Sequence, residues 1–237
     1  MRKIHFLLII IMTLAACGKQ EGAPAAGAPP ASGSAPLSVE VAPQTPAQDE
    51  RFTIVMLGDS LTAGFGLATD EALPEELARI LAGNGFDLDV INAGVSGDTT
   101  AGGLARYDWS VASAKPDLLI VALGANDFLQ RIPAEQARKN LSAIIERAQR
   151  DGVGVVLASV EAGGNEDDDP RIDAYAAIYP ELAAKYDVPL FEDILRGVRG
   201  EFTLMQLDGL HPTREGVKII AARMAKFVGP YLPEDEE

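Results

Sequence analysis

The sequence predicts an α/β domain built on a parallel sheet with helices on both faces. Three observations lead there. Short apolar runs alternate with amphipathic helical stretches from Phe52 to Val228, the pattern of strand–helix–strand units. The polar, chemically suggestive residues collect just after the apolar runs, where the carboxyl ends of parallel strands carry active groups. The length of 237 residues, 47% of them hydrophobic, suits one ordinary domain with appendages, and about 180 residues bury roughly 70% of their unfolded surface without a metal or disulfide.

Phe52–Leu57 is a short apolar run ending at Gly58 and reads as a buried strand. Leu73–Leu81 places Leu73, Leu77, Ile80 and Leu81 at helical spacing and closes on Gly83-Asn84-Gly85. Leu88–Ile91 is a second strand, and Leu118–Leu123, entered after Pro116, a third. Ala134–Arg150 is a helix with Leu141, Ile144, Ile145 and Ala148 on one face. Val153–Val160 is a fourth strand, and Arg171–Tyr186 is helical with Pro180 inside it. Val188–Phe191 is the fifth strand, and Arg214–Val228 closes the domain as an amphipathic helix.

The segments outside this domain are addresses and tethers. Residues 1–16 combine Arg2-Lys3, an apolar run and Leu14-Ala15-Ala16 before Cys17, the pattern of a secretory signal peptide. The apolar run is too short to span a bilayer comfortably. Leu14-Ala-Ala-Cys17 resembles the bacterial lipobox, which implies lipidation of Cys17, the only cysteine. Several acyl chains at one terminus anchor stably where one is marginal. Gly18 and Lys19 follow, with no aspartate after the cysteine; by resemblance to lipoprotein sorting this leans toward the outer membrane, facing the periplasm. Residues 17–50 are rich in Ala, Pro, Gly and Ser and read as a flexible tether reaching roughly 30 Å. The domain is expected over residues 51–232, with residues 233–237 as an acidic tail. With 35 acidic against 20 basic residues the net charge is −15, which argues against nucleic-acid binding.

Four loops carry the chemistry. Gly58-Asp59-Ser60-Leu61-Thr62 follows the first strand, Asn92 to Thr100 the second, and Gly124-Ala125-Asn126-Asp127 the third, with Asp208-Gly209-Leu210-His211-Pro212 near the end. Singly, each has a structural reading: Ser60 as a helix cap, Gly97 a turn, Asn126 a turn residue, Asp208 a cap. Together they suit one reaction. A serine hydroxyl needs a base to become a nucleophile, and His211 is the only histidine outside the leader. Imidazole in turn needs a carboxylate to fix its tautomer, and a turn brings Asp208, three residues upstream, within reach. The oxygen that becomes anionic needs preset donors, for which the N–H groups of Ser60 and Gly97 and the amide of Asn126 are the candidates.

These residues resemble, in order, the four blocks of the SGNH (GDSL) hydrolases: Gly-Asp-Ser-Leu, the glycine of Ser-Gly-Asp-Thr, Gly-x-Asn-Asp and Asp-x-x-His-Pro, between about Phe52 and Leu232. Asn92–Thr100, Ala177-Ile-Tyr-Pro180 and Asp208–Pro212 look like the arylesterase, thioesterase and lysophospholipase branch. The resemblance implies a three-layer α/β/α sandwich with a five-stranded parallel, flavodoxin-like sheet, and ester hydrolysis with no metal or cofactor. It implies Ser60 as nucleophile, His211 as base, Asp208 as its orienter, and Ser60, Gly97 and Asn126 as the oxyanion hole. Between Gly94 and Gly97 the pattern favours Gly97. Asp59 and Asp127 read as loop-shaping hydrogen-bonders.

The expected activity is hydrolysis of acyl or aryl esters, thioesters or lysophospholipids through an acyl-enzyme on Ser60, by a monomer. A carbohydrate or cell-wall O-acetylesterase would use the same residues, and a non-catalytic binding lipoprotein is the alternative of another class. A zinc site would have one histidine and no cysteine to draw on, and the segment around Ser60 lacks the second glycine of a G-x-S-x-G elbow. Two features stand apart from the family pattern. Gly163–Pro170 is strongly acidic and is expected to disfavour anionic acyl chains or head groups. Phe128-Leu129 either walls the acyl pocket or packs on the core.

Overall fold

The computed structural model describes residues 51–160, 169 and 171–233. The signal peptide, Cys17, the tether, Gly163–Asp168, Pro170 and the last four residues lie outside them. Strands β1 (Phe52–Gly58), β2 (Leu88–Gly94), β3 (Leu118–Ala122), β4 (Gly154–Ala158) and β5 (Leu190–Phe191) form one sheet in the order β2-β1-β3-β4-β5, all parallel. The helices are α1 (Ser60–Ala63), α2 (Leu73–Gly83), α3 (Thr100–Ala105), α4 (Tyr107–Ser110), α5 (Ala125–Leu129), α6 (Ala134–Arg150), α7 (Arg171–Ala176), α8 (Ile178–Tyr186) and α9 (Arg214–Val228). Among the described residues no helix is long and apolar enough to cross a membrane.

Successive strand side chains point to opposite faces, so each strand feeds two cores. Ile54, Met56, Ile120 and Val156 pack with Leu77 of α2 and Ile220 and Met224 of α9. Val55, Leu57, Val121 and Leu157 pack with Leu141 and Ile145 of α6 and Ile178 and Leu182 of α8. The result is the three-layer α/β/α sandwich with a five-stranded parallel, flavodoxin-like sheet that was expected. Strand order reverses between β1 and β3, and at such a switch point a crevice opens beyond the strand ends. Gly58 is level with Gly94 of β2 and Ala122 of β3, so the loops bearing Ser60, Gly97 and Asn126 leave the sheet at one height.

The structure departs from the expected elements in places. The stretch 171–186 is two helices rather than one, meeting at Ala177. Pro180 lacks an N–H, and its ring would meet the carbonyl of residue 176 in a continuous helix, so α7 stops there and Pro180 falls in the first turn of α8. β2 runs through Asn92 and Ala93 to Gly94 because these pair with Met56, Leu57 and Gly58; the following loop starts later than the apolar run suggests. β4 and β5 are shorter than the apolar runs around them.

Candidate active site

The nucleophile turn is built around Asp59 and Gly58. Asp59 caps α1, its Oδ1 accepting the N–H of Leu61 at 3.0 Å. A Cβ on Gly58 would overlap the hydroxyl of buried Thr62, so only glycine lets α1 fold back directly over the strand end. Ser60 is the first helical residue, and its N–H has no intrahelical partner.

From the far end of the chain a closed loop brings in the imidazole. Met205 and Pro212 form an antiparallel bridge, the N–H of Gln206 donates to the carbonyl of His211 at 2.7 Å, and Gly209 donates back to Gln206 at 2.9 Å. Thr213 then caps α9. Within this loop Asp208 Oδ1 accepts the N–H groups of Leu210 and His211 at 2.9 and 3.1 Å, and Oδ2 lies 2.7 Å from His211 Nδ1. His211 Nε2 lies 2.8 Å from Ser60 Oγ, across 151 residues of sequence. The hydrogen bond from His211, assisted by those from the backbone, holds the Asp208 carboxyl down at about 2, so it is ionised throughout the neutral range.

The other two loops meet the same point. Gly97 has a φ of +82°, a conformation glycine adopts at no steric cost, and it lines the cavity with open space over its Cα. Gly94, the alternative, instead packs against the backbone of α1, where a Cβ would strike Ala63. Asn126 lies in the first turn of α5, its Nδ2 donating to the carbonyl of Asp98 at 2.9 Å and facing Asp59 Oδ2 at 3.4 Å. Two oxygen acceptors on one side fix which end of the amide is nitrogen. Asp127, fully buried, accepts from both the N–H and the hydroxyl of Thr100, at 2.8 and 2.6 Å, tying the third loop to the second.

A cavity of about 710 Å³ opens over these groups. Its apolar lining includes Phe65, Val160, Leu195, Met205 and Leu210. Phe128 and Leu129 also line it, and the Phe128 ring meets Tyr175 edge-on at 5.3 Å, so Phe128 both walls the cavity and packs on the core. Of the acidic segment 163–170 only Asp169 is described; Arg171 binds its carboxylate and also donates to the Phe128 carbonyl at 2.7 Å.

Asp59 has a measurable thermodynamic signature. Burial pushes its carboxyl from 3.8 up to about 6, against the lowering effect of the Leu61 N–H and His211. The fold accommodates the neutral acid better, so this group's contribution is fully present below pH 3.8 and is lost as pH rises through about 6, a change on the order of 3 kcal/mol. Asp59→Asn removes the titration. Its melting temperature relative to wild type is expected to climb as pH is raised from about 4 to above 6; parallel melting curves across that window would contradict the assignment.

Comparison with known proteins places the chain. The sequence profile of the GDSL-like lipase/acylhydrolase family matches residues 56–219. The chain belongs to that family. Its domain is 38% identical to esterase TesA of Pseudomonas aeruginosa over 161 residues, covering 68% of this chain and 79% of the relative. It is 33% identical to the thioesterase 1/protease 1/lysophospholipase L1 of Escherichia coli over 183 residues, 77% and 86% of the two chains. The crystal structure of AlinE4, an SGNH-hydrolase family esterase, superposes with a TM-score of 0.64 at 40% identity, covering 78% of this chain and 98% of that one. Membership makes this GDSL-family chain an ester hydrolase.

Two residues at the site escape a motif reading. Phe65 stacks on the His211 ring, centroids 4.5 Å apart and tilted by 34°. The side-chain amide of Gln206 donates to the carbonyls of Phe65 and Pro212 at 2.7 and 2.9 Å, joining the serine turn to the histidine loop. The one sequence signal is their position, Phe65 five residues after Ser60 and Gln206 two before Asp208.

Proposed function

We propose that this chain is a serine esterase that cleaves acyl and aryl esters through an acyl-enzyme on Ser60. The observation that carries the reading is the continuous line from Asp208 Oδ2 through the His211 ring to Ser60 Oγ, with contacts of 2.7 and 2.8 Å. His211 Nε2 takes the hydroxyl proton as Ser60 Oγ attacks the ester carbonyl, and Asp208 stabilises the imidazolium. The carbonyl oxygen turns anionic between the N–H groups of Ser60 and Gly97 and the amide of Asn126. His211 then protonates the departing alkoxide. A water, deprotonated by the same nitrogen, attacks the acyl carbon and releases the acid and Ser60.

The apolar cavity favours an acyl chain over an acetylated sugar. The thioesterase and lysophospholipase named for the Escherichia coli relative extend the candidate substrates to thioesters and lysophospholipids. The leader over residues 1–16, lipidation of Cys17 and the tether to residue 50 belong to the same proposal, of an exported, membrane-anchored, monomeric enzyme. Loss of lipid labelling and release from membranes in Cys17→Ala is the expected result for the anchor.

The deciding experiment treats purified protein with a fluorophosphonate and a series of p-nitrophenyl esters and acyl thioesters. Labelling and turnover are expected, with kcat/KM rising along the short end of the series by up to about fourfold per buried methylene, from about 0.8 kcal/mol each. A folded protein inert to both reagents would overturn the reading in favour of a binding lipoprotein. Gln206→Ala, which unties the two catalytic loops, is expected to lower kcat by about 10²-fold, the scale of a 1 Å misplacement; an unchanged kcat at equal folded fraction would show that the loop holds itself.

A further inference from the structure

We propose that Arg106, remote from the Ser60–His211 pair in sequence and absent from the four motif blocks, is a positioning residue that holds the oxyanion donors in register. This rests on the esterase reading above. Arg106 sits between α3 and α4, its side chain only 15% exposed. Its guanidinium reaches three acceptors in diverging directions: Nε donates to Asp98 Oδ2 at 2.7 Å, Nη2 to the carbonyl of Gly58 at 3.0 Å, and Nη1 to Ser110 Oγ at 3.1 Å.

Each of the first two acceptors leads to a donor. Gly58 lies two residues before Ser60 at the end of β1, and its carbonyl also accepts the N–H of Val95 at 3.1 Å. Asp98 directly follows Gly97, and the Asp98 carbonyl is the acceptor that holds Asn126 Nδ2 at 2.9 Å. One guanidinium thus fastens the β1 end to the second loop, and through Asp98 sets the amide of the third. The rest of the second loop is shaped to admit the contact. A Cβ on Gly102 would overlap the Asp98 carboxylate, and Thr99 caps α3 so that the helix returns Arg106 to the carboxylate eight residues on. Asp127 binds the second and third loops to each other through Thr100, and Arg106 adds to the Val95–Gly58 and Asn126–Asp59 contacts a charged clasp that references both loops to the serine turn.

The geometry demands a guanidinium. Its planar fork presents several N–H groups at fixed angles, whereas a lysine ammonium is a single point on a flexible stem. Lysine would satisfy Asp98 and release Gly58. Asp98 is itself only 12% exposed, so alanine leaves a buried carboxylate without its partner, which destabilises; lysine keeps the charge and separates positioning from folding.

The test uses the full chain with Arg106→Lys and Arg106→Ala. It follows kcat and KM on a p-nitrophenyl ester, melting temperature, and inhibition by an alkylboronic acid. That inhibitor mimics the tetrahedral intermediate: boron takes up the Ser60 oxygen, the hydroxyl proton passes to His211, and a boronate oxygen occupies the oxyanion position. Arg106→Lys is expected to lower kcat by about 10²-fold, the lower end of the loss of one oxyanion donor. KM should hold near its wild-type value while the boronate Ki rises in proportion to the fall in kcat. Added methylguanidinium is expected to restore part of the activity of Arg106→Ala and none of that of Ser60→Ala. The proposal is overturned if Arg106→Lys turns over like wild type, or if kcat falls while boronate affinity stays put, as a general loosening of the fold would give. Failure of the wild type itself to hydrolyse any ester would instead overturn the esterase reading.

Discussion

With Ser60 replaced by alanine, kcat for a p-nitrophenyl ester is expected to fall by about 10⁶, with a comparable fall for His211→Ala and little further loss in the double variant. The two side chains act as one unit: the 2.8 Å contact between Oγ and Nε2 is the path along which the nucleophile's proton leaves, and removing either end removes the path. Stability should move little. Ser60 lies at the first position of α1, where its side chain makes no cap, since Asp59 performs that role, and alanine is a good helix former. A change within about 0.5 kcal/mol is expected. The residual rate above water, about 10³–10⁴, comes from the donors and the cavity, and most of it, about 10²–10³-fold, should be lost in turn when Asn126 is truncated in the same background. Active-site titration must accompany the kinetics, so that a trace of wild-type enzyme is not read as residual catalysis. Additive losses from the two single substitutions would show that serine and histidine work in separate steps.

Much of this arrangement is legible in the sequence because the elements that carry it are long or chemically marked. The 3.6-residue pattern of Ala134–Arg150 and Arg214–Val228 gives α6 and α9 to the residue. Three of the motif blocks follow the ends of β1, β2 and β3, where the parallel sheet makes them converge, and the fourth reaches the same point on the closed loop before α9. What escaped has identifiable causes. α3 contains Gly102 and Gly103, poor helix formers, and its sequence carries no long apolar stripe; the helix exists because Thr99 caps it and Asp127 binds its first N–H from the third loop. β5 is reduced to Leu190–Phe191, since Pro189 before it has no N–H to offer the ladder. The ties made by Gln206 to Phe65 and by Arg106 to Gly58 span 141 and 48 residues. In each a lone polar side chain meets a backbone carbonyl, which gives no periodicity or residue type to detect, so only the folded chain reveals them.

Asp208 gives the second large effect, and here the identity of the replacement matters more than the loss of charge. In Asp208→Asn, the side-chain oxygen can keep the two backbone N–H bonds from Leu210 and His211 that Oδ1 now accepts. The amide nitrogen then takes the place of Oδ2, 2.7 Å from His211 Nδ1. That nitrogen can only donate, so Nδ1 must become the acceptor and the proton moves to Nε2, the atom that has to receive the serine proton. A loss of about 10⁴ in kcat is expected, the scale of the corresponding change in a serine protease triad. Asp208→Ala removes the carboxylate without imposing the wrong tautomer, and because Asp208 is 36% exposed, water can enter and accept from Nδ1. Alanine is therefore expected to be the more active of the two, although it also removes the acceptor that shapes the loop. Steady-state kinetics on both variants decide the matter. If asparagine proved the better enzyme, the carboxylate would act chiefly by holding the loop, and the orientation of the imidazole would have to be set by its stacking on Phe65 and by Gln206.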